Sequence, residues 1–175
     1  MASSMVFTFI GADKPGLIQR LAHTVTQHGG NWLESRMSEL AGQFAGIVQV
    51  AIAERQRGSL QDALMKLSGD GLTIVVAENQ PEIAVIGHRY LHLRIVGNDR
   101  PGIVLEVASA LAQRQINILE MDTHVTSAPM TAEALFEASA EIEVPKMLDL
   151  NDLNDHLDEI SDELAVDIEL EEALR

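Results

Sequence analysis

Two stretches of the chain place glycine, aspartate and proline in the same order: Gly11-Ala12-Asp13-Lys14-Pro15-Gly16 and Gly97-Asn98-Asp99-Arg100-Pro101-Gly102. Each joins an apolar run that suits a strand to an amphipathic run that suits a helix. A strand turning sharply into a helix exposes the helix's first N–H groups, which have no intrahelical partners, and these amides at the positive helix end suit a carboxylate. Asp13 or Asp99 beside them suits an ammonium group, while the glycines let a ligand approach the backbone. Together these are the two halves of an amino-acid site. A second reading needs no ligand: aspartate caps the helix, proline starts it and glycine permits the turn. Asn98, in place of Ala12, adds hydrogen-bonding capacity and favours the second loop.

The two loops sit in one internal repeat with an offset of 86 residues, which also carries Met5, Phe7 and Phe9 onto Leu91, Leu93 and Ile95. Leu21-Ala22 falls on Val107-Ala108, and Asn31 and Glu34 fall on Asn117 and Glu120. A register kept across this much sequence marks two copies of one module. The expected boundaries are 5–78 for the first domain, 79–88 for a connector and 89–172 for the second domain.

Each copy reads strand, helix, strand, strand, helix, strand. Strands are expected near 5–10, 32–40, 43–53 and 73–77, then near 90–96, 118–126, 131–144 and 166–170. Pro15 and Pro101 are expected at the first helical position, followed by Leu17, Ile18, Leu21, Ala22 and Val25 on one helix face and Ile103, Val104, Val107, Ala108 and Leu111 on the other. Gly29-Gly30 closes the first helix. Ser59 with Asp62 reads as a capping box before Leu60, Ala63, Leu64 and Leu67. Leu150, Leu153, Leu157, Ile160 and Leu164 form a narrow apolar seam on the last helix. This order predicts an α+β chain of two ferredoxin-like βαββαβ modules, each an antiparallel four-stranded sheet with its helices on one face.

Charge and composition narrow the function. The 175 residues carry 12 Lys and Arg against 27 Asp and Glu, a net of −15. Residues 1–132 account for −2 of this and residues 133–175 for −13. Phosphate binding relies on neutralising cations, so direct contact with nucleic acid or an anionic membrane is disfavoured, and a basic protein surface is the expected partner of the acidic end. No apolar run is long enough to span a bilayer, and no secretory signal is expected at the start, which predicts a cytoplasmic protein. The chain has no cysteine, and it contains no Gly-x-Ser-x-Gly, Walker A, Gly-x-Gly-x-x-Gly or His-Glu-x-x-His pattern. Neither an enzyme nor a cofactor is expected.

The sheet faces away from the helices are expected to differ. Val6, Thr8 and Ile10 make the first one apolar, so it should be covered by the connector, the other module or another subunit, the last being a homo-oligomer. His92, Arg94, Glu120, Asp122, His124 and Glu137 make the second one polar; cross-strand ion pairs are the expected use, with a metal site as the rarer alternative.

A βαββαβ module with Gly-x-Asp-x-Pro-Gly between its first strand and helix resembles the ACT domain, a regulatory module that commonly binds amino acids. Two such modules, the second ending in a long acidic helix, resemble the glycine cleavage system transcriptional repressor family. Pro129-Met130-Thr131 through Phe136, with 140–145 and 150–168, carries the likeness in the second module. That family is understood to repress by associating with a DNA-binding activator and has no DNA-binding domain of its own. The resemblance implies ligand contacts from the loop and the start of the second strand: Gly11, Asp13, Gly16 and Leu17 with Asn31, and Gly97, Asn98, Asp99, Gly102 and Ile103 with Asn117. It implies glycine or a similar amino acid as effector and a DNA-binding transcriptional activator as protein partner. The alternatives are a stand-alone amino-acid-binding module that regulates a metabolic enzyme, and a structural adaptor without ligand.

Overall fold

The computed structural model describes residues 2–69, 71–77, 87–127 and 133–172. The chain divides into two compact units, Met1–Glu82 and Ile83–Arg175. The first contains β1 (Ala2–Ala12), α1 (Leu17–Gln27), β2 (Asn31–Leu40), β3 (Gln43–Ala53), α2 (Glu54–Leu67) and β4 (Leu72–Ala77). The second contains β5 (His88–Asn98), α3 (Ile103–Gln113), β6 (Asn117–Ser127), β7 (Ala134–Pro145), α4 (Leu150–Leu164) and β8 (Val166–Glu172). Of the expected connector, residues 79–86 lie outside the described residues, Gly87 makes a turn and His88 starts β5. Pro129-Met130-Thr131 also lies outside them.

Each unit is a four-stranded antiparallel sheet, ordered β2-β3-β1-β4 in the first and β6-β7-β5-β8 in the second. The period of two along the strands creates the core. Met5, Phe7 and Phe9 of β1 point inward with Val48, Val50 and Ile52 of β3, and α1 and α2 cover them with Leu21, Val25, Leu60 and Leu64. Leu91, Leu93 and Ile95 do the same in the second unit, under Val107, Leu111, Leu153, Leu157 and Ile160. Phe7 is fully buried and meets Trp32 edge to face at 6.2 Å between ring centroids.

The helix entrances differ from the sequence expectation. Pro15 and Pro101 precede the helices; the N-caps are Gly16 and Gly102, in left-handed conformation at φ 91° and 106°. The Leu17 N–H donates to the Lys14 carbonyl at 3.3 Å, so Lys14-Pro15-Gly16-Leu17 is a type II turn, with proline at its second position and a positive φ at its third. The proline's fixed φ serves that turn rather than the first turn of the helix.

The capping box expected at Ser59 and Asp62 does not form. Helix α2 begins at Glu54 with Ala53 as N-cap, which leaves Ser59 inside the helix. Glu54 in the first turn complements the positive helix end. Helix α4 has the side-chain cap that α2 lacks: the Asn151 N–H donates to Asp149 Oδ1 at 2.9 Å.

The exits of α1 and α3 share one hydrogen-bond pattern. Gly29 and Gly30 donate to the Thr26 and Val25 carbonyls at 3.0 and 2.9 Å; Gln115 and Ile116 donate to those of Ala112 and Leu111 at 3.0 Å each. Both are Schellman motifs. The first uses glycine at the left-handed position, whereas the second forces Gln115 to φ 57°.

Candidate functional site

The two strand–helix loops are built alike. Asp13 donates its N–H to the Gly42 carbonyl at 2.9 Å, and Asp99 donates to Ala134 at 2.8 Å, so each loop is fastened to the beginning of the third strand or the turn before it. The first backbone bonds of the helices run from Arg20 to Gly16 and from Glu106 to Gly102, at 3.0 and 2.9 Å. The amides ahead of these bonds have no intrahelical partner, and that of Leu17 is taken up by the Lys14 carbonyl. Asp13 and Asp99 are exposed, and neither caps its helix. The ligand-free reading in which aspartate serves as the cap therefore has no counterpart in the structure.

The glycines that open the loops answer to strand packing. A Cβ on Gly97 would lie 2.8 Å from the Val166 Cα and 2.5 Å from its Cγ1, because β5 and β8 meet there. A Cβ on Gly11 would meet the Gly71 carbonyl oxygen and Leu72 Cδ1 at 3.1 Å. Close approach of a neighbouring strand thus requires a small residue at both positions.

The expected contact residues divide. Gly11 and Leu17 line an open cleft of about 160 Å³, together with Ala12, Lys14, Pro15, Arg20, Gly71 and Leu72. Asp13, Gly16 and Asn31 do not line it. Asn31 and Asn117 are exposed and start β2 and β6, opposite Ala51 and Glu143. In the second loop Asn98, Asp99 and Gly102 are exposed, whereas Ile103 is buried in the core under α3. The cleft residues that sequence reasoning passed over are Lys14, Arg20, Gly71 and Leu72. The split βαβ topology is the signal that finds the last two, since it seats the start of β4 beside the end of β1, Leu72 opposite Gly11.

The outer faces contrast as their sequences imply. Ile10, Ile47 and Val75 are 48%, 47% and 58% exposed on the first sheet. On the second, register aligns His92 with Glu141 and Glu120, and Arg94 with Ser139 and Asp122. Val96 aligns there with Glu137 and His124. The polar groups pair locally: His124 lies 3.5 Å from Glu137, Arg94 lies 3.9 Å from Glu169, and His92 Nε2 is 3.0 Å from Ser139 Oγ. No cluster of three His or carboxylate side chains able to hold a metal occurs among the described residues. Nor is any helix among them long and apolar enough to cross a membrane.

Comparison with known proteins bears on both halves. Two family models, each described as an ACT domain, match residues 3–77 and 89–167. A crystal structure of a protein of unknown function from Galdieria sulphuraria is similar over 99% of this chain and 100% of its own, at 28% identity and a TM-score of 0.86. A second, of a protein described as a proposed glycine cleavage system transcriptional repressor, is similar over 100% of this chain and 99% of its own. Its identity is 19% and its TM-score 0.75, a likeness of fold. No curated protein matches.

Proposed function

We propose that this chain, which belongs to the ACT-domain family with one domain in each half, is a non-enzymatic cytoplasmic regulator of transcription in glycine or related amino-acid metabolism. It acts by holding a DNA-binding protein, and an amino acid, glycine or one similar to it, is its effector at the strand–helix loops.

The observation that carries this reading is the like placement of Asp13 and Asp99 in the two loops. Each carboxylate is exposed beside a helix start and is not spent on capping it. An amino acid offers what that arrangement lacks, a carboxylate for the orphan amides and an ammonium for the aspartate. The likeness of fold to a proposed glycine cleavage repressor points the same way. The charge of −13 on residues 133–175 argues against phosphate contact and for a basic protein surface as partner.

The test is co-purification of the tagged full chain from its native extract, with and without glycine, followed by DNA retardation with the captured partner. A DNA-binding regulator that retards DNA while the chain alone does not is the expected result. Capture of a metabolic enzyme instead, or retardation by the chain alone, contradicts the proposal.

A further inference from the structure

The outward side of the first sheet, away from α1 and α2, has a composition that water does not require. Register puts Val6, Thr8 and Ile10 of β1 beside Gln49, Ile47 and Ala45 of β3, six central positions without a charge. Val75 of β4 stands beside Thr8, and it, Ile10 and Ile47 are each about half exposed. The one amide among these side chains is satisfied within the face: Gln49 Nε2 donates to Ser4 Oγ at 2.9 Å. The only charges in these rows are Glu34 and Arg36, which cancel and lie on the edge strand β2.

The repeat supplies the comparison. The offset of 86 lays Val6 and Thr8 on His92 and Arg94, and Arg36 on Asp122. The same three rows of the second sheet hold seven carboxylates, three on β8 and two each on β7 and β6. A polar outward side of that kind is how an antiparallel sheet meets water. The first sheet has the same topology and lacks it, and a flat apolar patch costs free energy while it is exposed.

Charge selects the occupant. The chain carries −15, so two copies repel wherever their acidic surfaces meet. On the outward side of the first sheet no like charge opposes a second copy. A basic partner gains nothing there, whereas a neutral, flat, β-branched surface is complementary to itself, as a twofold contact demands. Two twisted sheets pack face to face about 10 Å apart, with their strands crossing at about 30°. Four strands at a spacing of about 4.8 Å and about 25 Å long make a footprint of about 500 Å². A standard interface takes about 800 Å² per partner, so the contact is weak and depends on concentration.

We propose that the chain forms a twofold dimer in which the outward sides of two first-unit sheets pack face to face. The contact needs neither an amino acid nor a DNA-binding protein, so it stands or falls apart from the proposed function.

The test is sedimentation equilibrium of the full chain from about 5 to 500 µM, at low and at moderate salt. A monomer–dimer equilibrium in the micromolar range is expected. It should be tighter at the higher salt, because screening relieves the repulsion between two acidic chains. Ile47→Glu and Val75→Glu each put a carboxylate between the sheets and should weaken the dimer about tenfold or more. Ile47→Val should retain it, as should Gln113→Glu, which adds the same charge on the exposed side of α3. Far-UV circular dichroism reports which variants are folded, and one folded variant of the two on the sheet suffices. A monomer throughout the range, assembly beyond a dimer, association that salt weakens, or a dimer that a folded Ile47→Glu or Val75→Glu variant retains in full overturns the proposal.

Discussion

Arg100 reaches from the second strand–helix loop to the Glu163 carbonyl in the last turn of α4, a hydrogen bond of 2.9 Å that links the two helices' ends of one unit. A cation near a helix C-terminus also meets the negative end of the helix. The corresponding Lys14 lines a cleft instead. Arg100→Ala should cost about 0.5–1 kcal/mol in urea unfolding, and Lys14→Ala less than about 0.5 kcal/mol. Equal losses from both would remove the structural distinction between the loops.

Gly97 and Gly11 predict a graded pair. Gly97→Ala sets a Cβ against the Val166 backbone at 2.8 Å, so the β5–β8 pairing must shift, at about 2–3 kcal/mol. Gly11→Ala meets its neighbours at 3.1 Å and should cost less. Chemical denaturation of the two variants, each read in its own unit by amide hydrogen exchange, measures the difference.

Gln115 predicts a gain. It holds the left-handed position of a Schellman motif where Gly29 stands in the first unit. Left-handed backbone costs a side-chain-bearing residue about 1–2 kcal/mol, partly offset by the larger unfolded-state entropy of glycine. Gln115→Gly should stabilise the second unit by about 0.5–1 kcal/mol, whereas Gly29→Gln should destabilise the first. The Gln56 amide, 2.9 Å from where a Cβ on Gly29 would lie, adds to that loss.

Leu157 of α4 is 2% exposed in the second core. Leu157→Ala should cost about 2–5 kcal/mol and Asp158→Ala, on the exposed side, within about 0.5 kcal/mol. That contrast separates the seam from the acidic face of the same helix.

The repeat made most of this fold legible. The offset of 86 takes Leu17–Gln27 onto Ile103–Gln113 end to end, and the Trp32/Glu34 bulge onto the Ile118/Glu120 bulge. What sequence reasoning misplaced was local. Proline alone suggests a helix start, but Pro15-Gly16 and Pro101-Gly102 specify a turn with positive φ, and the helix begins after it. The first turn of α2 is polar from Glu54 to Gly58, so apolar periodicity, which starts at Leu60, could not reveal it. The cleft was hidden for another reason. It depends on β1 pairing with β4, which brings Gly71 and Leu72 from sixty residues away to Gly11 and Lys14.

The proposed function depends on the loop aspartates sensing an amino acid. Thermal unfolding of the full chain against a panel of free amino acids, glycine and serine included, tests it most directly, with Asp13→Ala and Asp99→Ala beside the wild type. A ligand that binds only the folded state adds about 2.7 kcal/mol at 100 times its Kd. Stabilisation is expected from one or two amino acids only, diminished by at least one of the two substitutions, with the unliganded unfolding temperature unchanged. No stabilisation by any amino acid at millimolar concentration, or one that both variants retain in full, would contradict it.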